Sequence, residues 1–360
     1  MSSMYVDGTE IPVVDLSPFL TDGNRATCEV IAEAVRNVGV VIVRDPRIPE
    51  GLPGKMRDLF HRFYQSLEIE KYLLELPDTH HQIGWTPSYT EGARERLEER
   101  ARLSPGNEAH PHAGKDPKER YSIPVGPPPE RTAFPEYNQK TGKVPPRLKG
   151  EWEPRTIQWG NVMLDAVRTV VEMASIGMNC RDSRVFTRLL EHGPHLLAPT
   201  GTDLLRYSNP GTVHAGFHTD MGFATIHGRS NYPGLFVWTR DLRRIPARLP
   251  DDGCLLLQVG KQWQICTGGV AHAGFHEVVA TDELKAKVDA EREAHRARQS
   301  GALFEPWRVS LTLFSHVASD FELKPYDVFD TPEAREKYPS ILAGARMRRQ
   351  LTRSGLASMG

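Results

Sequence analysis

The chain has 360 residues, of which 39% are hydrophobic and 25% are charged, and its formal net charge is −1. This composition is sufficient for a large packed core, and the balanced charge provides no basic field that would bind nucleic acid or an anionic membrane. Because no run approaches 18 apolar residues and the first residues lack a basic region before an apolar one, we expect neither a membrane span nor a signal peptide.

Helix and strand patterns alternate over residues 1–180, which we expect to be mostly helical. Residues 11–20 (IPVVDLSPFL) predict an edge strand followed by the start of a helix. Residues 27–38 have apolar positions at helical spacing with Thr27 as a candidate N-cap, and the next run, GVVIVRDP, predicts a buried strand. Residues 52–76 predict a further helix, whose apolar side is formed by Leu59, Phe60, Phe63, Tyr64 and Leu67.

The segment 104–150 differs in composition, because it holds many of the 28 prolines, including those of VGPPPE and VPPR. No regular element fits this pattern, so we predict a long loop or a lid of the kind that often carries function. A long helix is predicted at about 153–178, with an apolar side formed by Ile157, Met163, Leu164, Val167, Val170 and Val171.

From about residue 203 the apolar runs shorten to strand length and are separated by glycine, proline and asparagine. The strand-length segments are DLLRYSNP, ATIHGRS, GLFVWTR, CLLLQVGKQW, FHEVVAT and RVSLTLFSHV. Many short strands with turn signals predict a sandwich or a jelly roll over residues 200–320. Residues 281–299 interrupt these strands with a highly charged segment, which predicts a solvated helix; a disordered loop is the alternative.

The stretch GFHTD contains a histidine and a carboxylate two residues apart, His218 and Asp220. On a strand such a pair points to one face and can reach one metal ion, although it also arises by chance. A second histidine would complete a facial triad with open coordination positions, which suits non-haem Fe(II) in oxygenases. The histidines that could complete it are His214, His227, His272, His276 and His316, and spacing alone ranks His276 only slightly above His272.

Several ordered motifs resemble the isopenicillin N synthase-like family of Fe(II)/2-oxoglutarate-dependent oxygenases, nearly from end to end. These motifs are IPVVDLSPFL, VRNVGVVIVRDPRIP, LLRYSNP, GFHTDMGFATI with YPGLFV, LLLQVGKQWQICTGGVAHAGFHEVV, RVSLTLF and YPSILAGARMRRQL. The resemblance implies one oxygenase domain that is mainly β with flanking helices. Its core would be a double-stranded β-helix (jelly roll) with the metal inside one mouth, and a C-terminal helix would lie at 331–352.

The resemblance also implies the site residues. The iron ligands would be His218, Asp220 and His276, and the cosubstrate residues would be Arg308 and Ser310, which match the Arg-x-Ser pair that holds the far carboxylate of 2-oxoglutarate, with Tyr207. Tyr207 matches a tyrosine that often helps to bind that carboxylate or a substrate carboxylate. The chemistry agrees, because a guanidinium and a hydroxyl two apart on a strand face the same way and can bind one carboxylate.

The activity that the resemblance implies is Fe(II)- and 2-oxoglutarate-dependent oxidation of a small organic molecule by O2, with ascorbate as a reductant in vitro. The outcome would be hydroxylation, desaturation or ring formation, and the substrate a small molecule of secondary or amino-acid metabolism. One alternative is an oxidase of the same fold that uses O2 without 2-oxoglutarate, as isopenicillin N synthase does. Another is a non-catalytic binding protein, against which the intact triad argues.

Three features depart from the family's pattern. The distal histidine is usually followed by arginine, but here by Glu277, which strand alternation should point away from the metal. The segment between His276 and Arg308 is longer than usual, and we expect it to cover one side of the barrel. The family's usual asparagine and aspartate before the distal histidine are replaced in QVGKQ.

Substrate residues are harder to identify than the metal ligands. Trp85, Tyr89 and Glu91 in GWTPSYTEG lie in a region that the family often uses for substrate, but structural packing explains them equally well. His227 is a further candidate for contact with substrate or cosubstrate, although a packed or solvent-facing histidine is the favoured interpretation.

Other motifs give no competing function. His272 and the pair His80-His81 are expected on the surface, and the chain contains no GxSxG, P-loop or GxGxxG motif. The four cysteines are far apart and form no Cys-x-x-Cys pair, which is typical of reduced thiols in a cytoplasmic protein.

Overall fold

The computed structural model of the chain describes residues 11–93, 96–112, 114–138, 142–298 and 303–353. The helices in these ranges are α1 (Ser17–Asp22), α2 (Cys28–Asn37), α3 (Leu52–Tyr64), α4 (Glu68–Tyr72), α5 (Leu97–Arg100), α6 (Lys149–Gly177), α7 (Val185–Leu189), α8 (Leu204–Tyr207), α9 (Lys261–Cys266), α10 (Asp282–Ala297), α11 (Pro332–Lys337) and α12 (Ala343–Arg353). Short 3-10 turns lie at Pro77–Thr79, Pro135–Tyr137, Pro146–Leu148 and Asp327–Phe329.

The strands form two main sheets and one small two-stranded sheet. They are β1 (Val13–Asp15), β2 (Val40–Arg44), β3 (Gly84–Thr86), β4 (Glu119–Val125), β5 (His195–Leu197), β6 (Thr200–Asp203), β7 (Val213–His218), β8 (Ala224–Gly228), β9 (Leu235–Trp238), β10 (Arg244–Pro246), β11 (Cys254–Val259), β12 (His276–Val279), β13 (Trp307–Ser310), β14 (Thr312–Ser315), β15 (Glu322–Leu323) and β16 (Ile341–Leu342). The larger sheet has the order β1-β2-β11-β8-β14-β5-β4-β6-β13 with β3 beside β4, and the smaller sheet has the order β10-β9-β12-β7.

Strand alternation gives the larger sheet two different faces. The outward-facing residues of β2 and β11 are Val41, Val43, Leu255 and Leu257, which join the main hydrophobic cluster under the helices. The inward-facing residues of the same strands are Val40, Ile42, Cys254 and Leu256, which pack on Val237 and Ile245 of the smaller sheet. The two sheets therefore face each other across an apolar interior, and the predicted jelly-roll core with flanking helices is confirmed.

Helix α6 supports the larger sheet from outside, with α2 packed along it. Five of the six residues predicted for its apolar side are buried, but Ile157 is 59% exposed. The prediction was wrong for Ile157 because it lies on the side of α6 that turns away from the sheet. At the end of α6, a side chain on Gly177 would overlap the carbonyl oxygen of Cys28 in α2, so the close approach of the two helices requires glycine there.

The N-terminal predictions hold in outline. Strand β1 lies at the edge of the larger sheet and β2 is buried. Thr27 precedes α2, but its side chain makes no capping hydrogen bond. The helix predicted over 52–76 is divided into α3 and α4, because Leu67 has an extended backbone with φ −56° and ψ 139°. Leu67 consequently is exposed and does not belong to the apolar side.

The prediction that no regular element occurs in 104–150 was wrong. The seven-residue strand β4 lies in this segment and pairs with β3, β5 and β6. Its sequence, ERYSIPV, holds the buried Tyr121 and Ser122, but prolines within and after it obscured the alternation. The start of β4 is fixed by Glu119, whose buried carboxylate accepts from Lys71 Nζ at 2.8 and 2.9 Å.

Two segments predicted as strands are partly helical. DLLRYSNP contains the short helix α8, because the side chain of Asp203 accepts a hydrogen bond from the Leu205 N–H at 2.9 Å and caps it. In CLLLQVGKQW the strand β11 ends at Val259 and helix α9 follows it.

Helix α10 occupies most of the segment 281–299, of which residue 299 lies outside the described residues. Its N-cap Thr281 accepts a hydrogen bond from the Leu284 N–H at 3.1 Å. Leu284 and Val288 form its buried side and pack on Tyr232 and Ala280, next to the smaller sheet. The remaining residues are mainly charged, so the helix covers this part of the roll with one apolar stripe.

Within the described ranges, no helix has both the length and the apolar character needed to cross a membrane. The four cysteines are unpaired thiols, and Cys28, Cys254 and Cys266 are buried.

The contact between α2 and α6 can be tested with a pair of glycine substitutions in one helix. Gly177→Ala should lower the free energy of unfolding by about 1 to 3 kcal/mol, because the added methyl group must displace the backbone of α2. Gly150→Ala is the matched control: no atom lies within 4 Å of the position that its methyl group would take, so stability should stay equal or rise by up to about 1 kcal/mol. Urea denaturation measures both, and equal midpoints for the two variants would contradict this description of the contact.

Candidate metal centre

Two neighbouring strands of the smaller sheet bring together His218, Asp220 and His276. His218 ends β7 and pairs directly with His276, which begins β12, while Asp220 lies in the turn after β7. The Nε2 atoms of both histidines lie 3.7 Å from Asp220 Oδ1, and one ligand atom from each residue lies within 4.8 Å of the others. Two imidazole nitrogens and one carboxylate oxygen thus converge on one point, which is the arrangement of a facial triad.

Each of the three side chains is oriented by a hydrogen bond on its far side. His218 Nδ1 lies 2.6 Å from the carbonyl oxygen of Gly216, and Thr225 Oγ1 donates to Asp220 Oδ2 at 2.6 Å. The side-chain amide of Gln258 lies 2.5 Å from His276 Nδ1. Because Nδ1 is engaged in both histidines, Nε2 is left to face Asp220. Such outer partners fix the tautomer and the ring orientation of metal-binding histidines.

The protonation states also suit metal binding. Burial, followed by the neighbouring His218, lowers the pKa of His276 to about 3, so this imidazole is neutral at physiological pH. Burial opposes ionisation of Asp220, but the adjacent His276 and His218 outweigh it, and the pKa of Asp220 is lowered. The site therefore offers a neutral imidazole at His276 and an ionised carboxylate at Asp220, which are the forms of these groups that bind a divalent cation.

The inner face of the larger sheet becomes polar close to the triad. Thr225 of β8 pairs with Gln258 of β11, and His227 of β8 pairs with Thr312 of β14. Of these four residues, Gln258 follows the inward apolar Cys254 and Leu256 along β11, and the others lie on β8 and β14. One end of the interior is thus hydrophobic, and the other end presents polar side chains to the triad.

Arg308 and Ser310 lie on β13, and Val309 between them joins the outer hydrophobic cluster. Alternation therefore directs both side chains inward, as their spacing predicted. Arg308 is buried, with Nε donating to the Pro233 carbonyl oxygen at 3.1 Å, and burial lowers its pKa to about 10. Among the described residues, no carboxylate forms an ion pair with it. Ser310 Oγ lies 3.3 Å from Thr312 Oγ1.

Tyr207 lies on α8 and contacts a different partner. Its hydroxyl accepts a hydrogen bond from the hydroxyl of Tyr89 at 2.7 Å, and this bond is the main cause that raises the pKa of Tyr89 to about 12. Tyr89 is half exposed, so the tyrosine pair lies toward the outside of the site. The backbone oxygen of Tyr207 is bonded to the buried His214 at 2.7 Å, which is how α8 contacts β7.

The substrate candidates Trp85 and Glu91 make structural contacts: one packs in the core and the other forms an ion pair. Trp85 is buried, donates from Nε1 to Glu119 Oε2 at 2.8 Å and packs edge-on against Tyr72, so its described contacts are those of a structural residue. Glu91 forms an ion pair with Arg120.

His80, His81, His272 and His316 do not belong to the group of converging ligand atoms. His272 was predicted on the surface but is half-buried, because its ring packs against Gly39 in the turn before β2. His80 and His81 are also half-buried rather than exposed. His316 is buried, and its backbone N–H donates to His195 at 3.1 Å.

Glu277 points away from the metal site, as alternation predicted, into a buried ionic network. Its carboxylate accepts from the His110 backbone N–H at 3.0 Å, pairs with the His110 ring at 2.8 Å, and accepts from Arg244 Nη2 at 3.0 Å. The Arg244 guanidinium lies 3.5 Å from the ring centre of Phe236. The residue that departs from the family's pattern thus attaches the loop around His110 to the outer face of the smaller sheet.

Three supporting residues were missed from the sequence: Thr225, Gln258 and Asp116. Asp116 Oδ1 accepts from the Gly216 N–H at 3.0 Å, and its other oxygen pairs with Lys118 at 2.5 Å. A side chain at position 216 would lie 2.8 Å from both Ala93 and His112, so glycine lets these residues pack closely on β7. Of these three residues, only Thr225 could have been identified from a local pattern, because it shares the inward face of its strand with His227. The partners of Gln258 and Asp116 lie on distant segments of the chain.

Comparison with known proteins finds one match to a sequence family and several solved structures of similar fold. The family model for the N-terminal region of "non-haem dioxygenase in morphine synthesis" matches residues 11–128. No curated protein sequence matches the chain. The fold is similar to that of a full-length Neurospora crassa protein in complex with alpha-KG, at 17% identity and a TM-score of 0.69, over 97% of this chain and 98% of that one.

Two further solved structures are similar over nearly the whole chain. JOX2 in complex with 2OG, Fe and JA is 16% identical with a TM-score of 0.65, over 95% of this chain and 84% of that one. The dioxygenase for auxin oxidation (DAO) in rice is 16% identical with a TM-score of 0.60, over 96% of both chains. These likenesses confirm the predicted fold, and the N-terminal match to a non-haem dioxygenase family agrees with the resemblance stated from the sequence.

The role of Gln258 can be tested through metal affinity. A histidine that offers Nε2 to a metal carries its proton on Nδ1, so the amide atom of Gln258 facing it must be the oxygen. Gln258→Leu removes this acceptor and should weaken Co(II) binding by about 10- to 100-fold, the usual effect of losing such a partner. Gln258→Glu keeps an acceptor and should retain most of the affinity, as measured by Co(II) absorbance titration.

Gln262→Leu is the matched control for that experiment. Gln262 is also buried, but its oxygen accepts from the Val317 backbone N–H at 2.8 Å, away from the triad. This variant should lose stability with unchanged Co(II) affinity. Equal Co(II) affinity of Gln258→Leu and the unmodified protein would show that Gln258 does not orient His276.

Proposed function

We propose that this chain is a non-haem Fe(II)- and 2-oxoglutarate-dependent dioxygenase that oxidises a small organic molecule. The observation that carries the proposal is the pairing of the His218–Asp220–His276 triad with an inward, buried arginine on the same interior. The triad supplies three ligands on one side of an ion, as non-haem Fe(II) requires. Arg308 supplies a buried cation to which the described chain offers no carboxylate.

The donor set fits Fe(II) better than a structural metal. Zinc in a structural site is normally enclosed by four protein ligands, often with cysteine, whereas here two nitrogens and one oxygen leave positions for other ligands. Bound Fe(II) would supply the activation of O2 coupled to oxidative decarboxylation of a 2-oxo acid. His218, Asp220 and His276 would hold it, and Gly216, Thr225 and Gln258 would keep those ligands oriented.

The same interior fits a dicarboxylate cosubstrate. A buried guanidinium is costly without an anion, and Arg308 has only the Pro233 carbonyl as its described acceptor. A carboxylate would accept charge-assisted bonds from it, with the Ser310 hydroxyl as a further donor. The 2-oxo acid end of 2-oxoglutarate would then face the triad, and the hydrophobic zone formed by the inward residues of β2 and β11 would exclude water from the site.

The surroundings of the triad and the structural likenesses both favour a small-molecule substrate. The segment carrying His112, Asp116 and Lys118 lies beside β7 at the triad, so it would border the substrate. The similar Neurospora crassa protein has been seen in complex with alpha-KG and thymine, and JOX2 with 2OG, Fe and JA, so both hold small organic molecules. We infer a small-molecule substrate for this chain as well, with O2 as its second substrate, and a cytoplasmic location consistent with its unpaired thiols.

The first test is turnover of 2-oxoglutarate. The protein supplied with Fe(II), ascorbate and O2 should form succinate slowly even without a substrate, and Asp220→Ala should abolish this reaction because a metal ligand is lost. Succinate is measured by chromatography. Metal-dependent O2 uptake with no succinate would instead support the oxidase, and failure to bind Fe(II), Co(II) or Mn(II) would support a non-catalytic binding protein.

The second test concerns Arg308. Arg308→Gln should weaken 2-oxoglutarate binding by at least about 10- to 100-fold, because a charge-assisted bond is lost from a buried site, while Co(II) affinity stays within about twofold. Binding is measured under anaerobic conditions by the absorption that the Fe(II)–2-oxoglutarate pair gives. Arg206→Gln, an exposed change on α8, is the control and should bind normally. Unchanged affinity in Arg308→Gln would exclude the proposed carboxylate contact.

A further inference from the structure

The position of His227 is fixed by strand pairing on both sides. β8 lies between β11 and β14, and His227 pairs with Leu256 on one side and with Thr312 on the other. Thr225, two residues earlier on the same face, donates to the carboxylate of Asp220. His227 therefore lies on the inner face two residues beyond Thr225 and beside Thr312, whose hydroxyl lies next to that of Ser310.

The imidazole of His227 has one engaged nitrogen and one that is not. Nδ1 lies 3.2 Å from Thr312 Oγ1, which itself lies 3.3 Å from Ser310 Oγ. Nε2 is shielded from solvent and has no hydrogen-bond partner among the described residues. Burying a polar nitrogen without a partner is unfavourable, so this atom needs an explanation.

The electrostatic surroundings place His227 between opposite charges. Burial is the main cause that lowers the pKa of His227 to about 4, and Asp220 and Arg308 act on it with opposite signs. The imidazole is consequently neutral at physiological pH and has a single N–H. It lies close enough to both the triad's carboxylate and the buried guanidinium to interact with each.

We propose that His227 is a further cosubstrate-binding residue, whose Nε2–H donates a hydrogen bond to a carboxylate oxygen of 2-oxoglutarate between the triad and Arg308. This inference rests on the proposed function. The hydroxyl groups of Ser310 and Thr312 can provide the donors that this arrangement needs. Ser310 donates its proton to the far carboxylate, and Thr312 donates its proton to His227 Nδ1. The imidazole proton then resides on Nε2, and a neutral donor faces the anion.

The arrangement makes Thr312 a positioning residue and His227 a binding residue. Thr312 acts through the tautomer of His227, because removing its hydroxyl lets the imidazole proton return to Nδ1. In that tautomer Nε2 presents a lone pair to the carboxylate, which is unfavourable. The two side chains should therefore affect 2-oxoglutarate affinity in the same direction, with the larger effect at His227.

The experiment measures 2-oxoglutarate affinity in the Fe(II)-loaded protein without O2, alongside Co(II) affinity in the metal-free protein. His227→Leu should raise the 2-oxoglutarate Kd about tenfold or more, since a hydrogen bond to a charged group is lost, with Co(II) affinity within about twofold. His227→Gln, which keeps an N–H donor, should recover most of the affinity. His272→Leu is the matched control, because His272 is also a half-buried histidine but lies outside the triad and its polar surroundings.

Each result decides between named explanations. An unchanged 2-oxoglutarate Kd in His227→Leu, with Co(II) binding intact, would overturn the inference and leave His227 as a packing residue. If His227→Leu does not fold, Thr312→Val takes its place, with an expected rise in Kd of about threefold, and an unchanged Kd in that variant would overturn the inference as well. Failure of the unmodified protein to bind 2-oxoglutarate would overturn the proposed function instead.

Discussion

The pairing of β7 with β12 is the constraint on which the rest of the site depends. His218 and His276 are directly opposite each other in this antiparallel ladder, although 58 positions separate them in the chain. Because side chains alternate along a strand, a slip of one residue would turn one of the two histidines to the outer face and dissolve the triad. The register is held from the outside by Glu277 and its buried partners, and from the inside by Gln258.

The interior of the roll is polarised along the strands that build it. Strand β11 carries the inward apolar residues Cys254 and Leu256 at one end and Gln258 at the other, and the inward residues of the adjoining β8 are Thr225 and His227. Neighbouring hydrophobic layers make the polar end a place of low dielectric, where charge-assisted bonds are stronger and unpaired groups are costly. For this reason the burial of Arg308 indicates an anionic ligand, whereas an exposed arginine at the same position would not.

Much of the fold and the triad could be predicted from the sequence, and what could not has physical causes. The triad and β13 could be predicted because the i, i+2 spacing and the ordered family motifs can be read directly from the sequence. Strand β4 was missed because prolines interrupt its alternation, and Leu67 was misassigned because helical periodicity continues across the break between α3 and α4. The contacts of Gln258 and Asp116 join segments far apart in the chain, so no local pattern could reveal them.

Glu277, at the position where the family that the sequence resembles usually has arginine, also limits which substitutions the smaller sheet can accept. Its carboxylate is fully buried, and Arg244 neutralises it from β10, which lies two strands away in the same sheet. Replacing Glu277 with arginine alone would bury two positive charges side by side. Replacing Arg244 alone would leave the buried Glu277 carboxylate without its guanidinium partner. The two positions are therefore coupled: the effect of a substitution at 277 depends on the residue at 244.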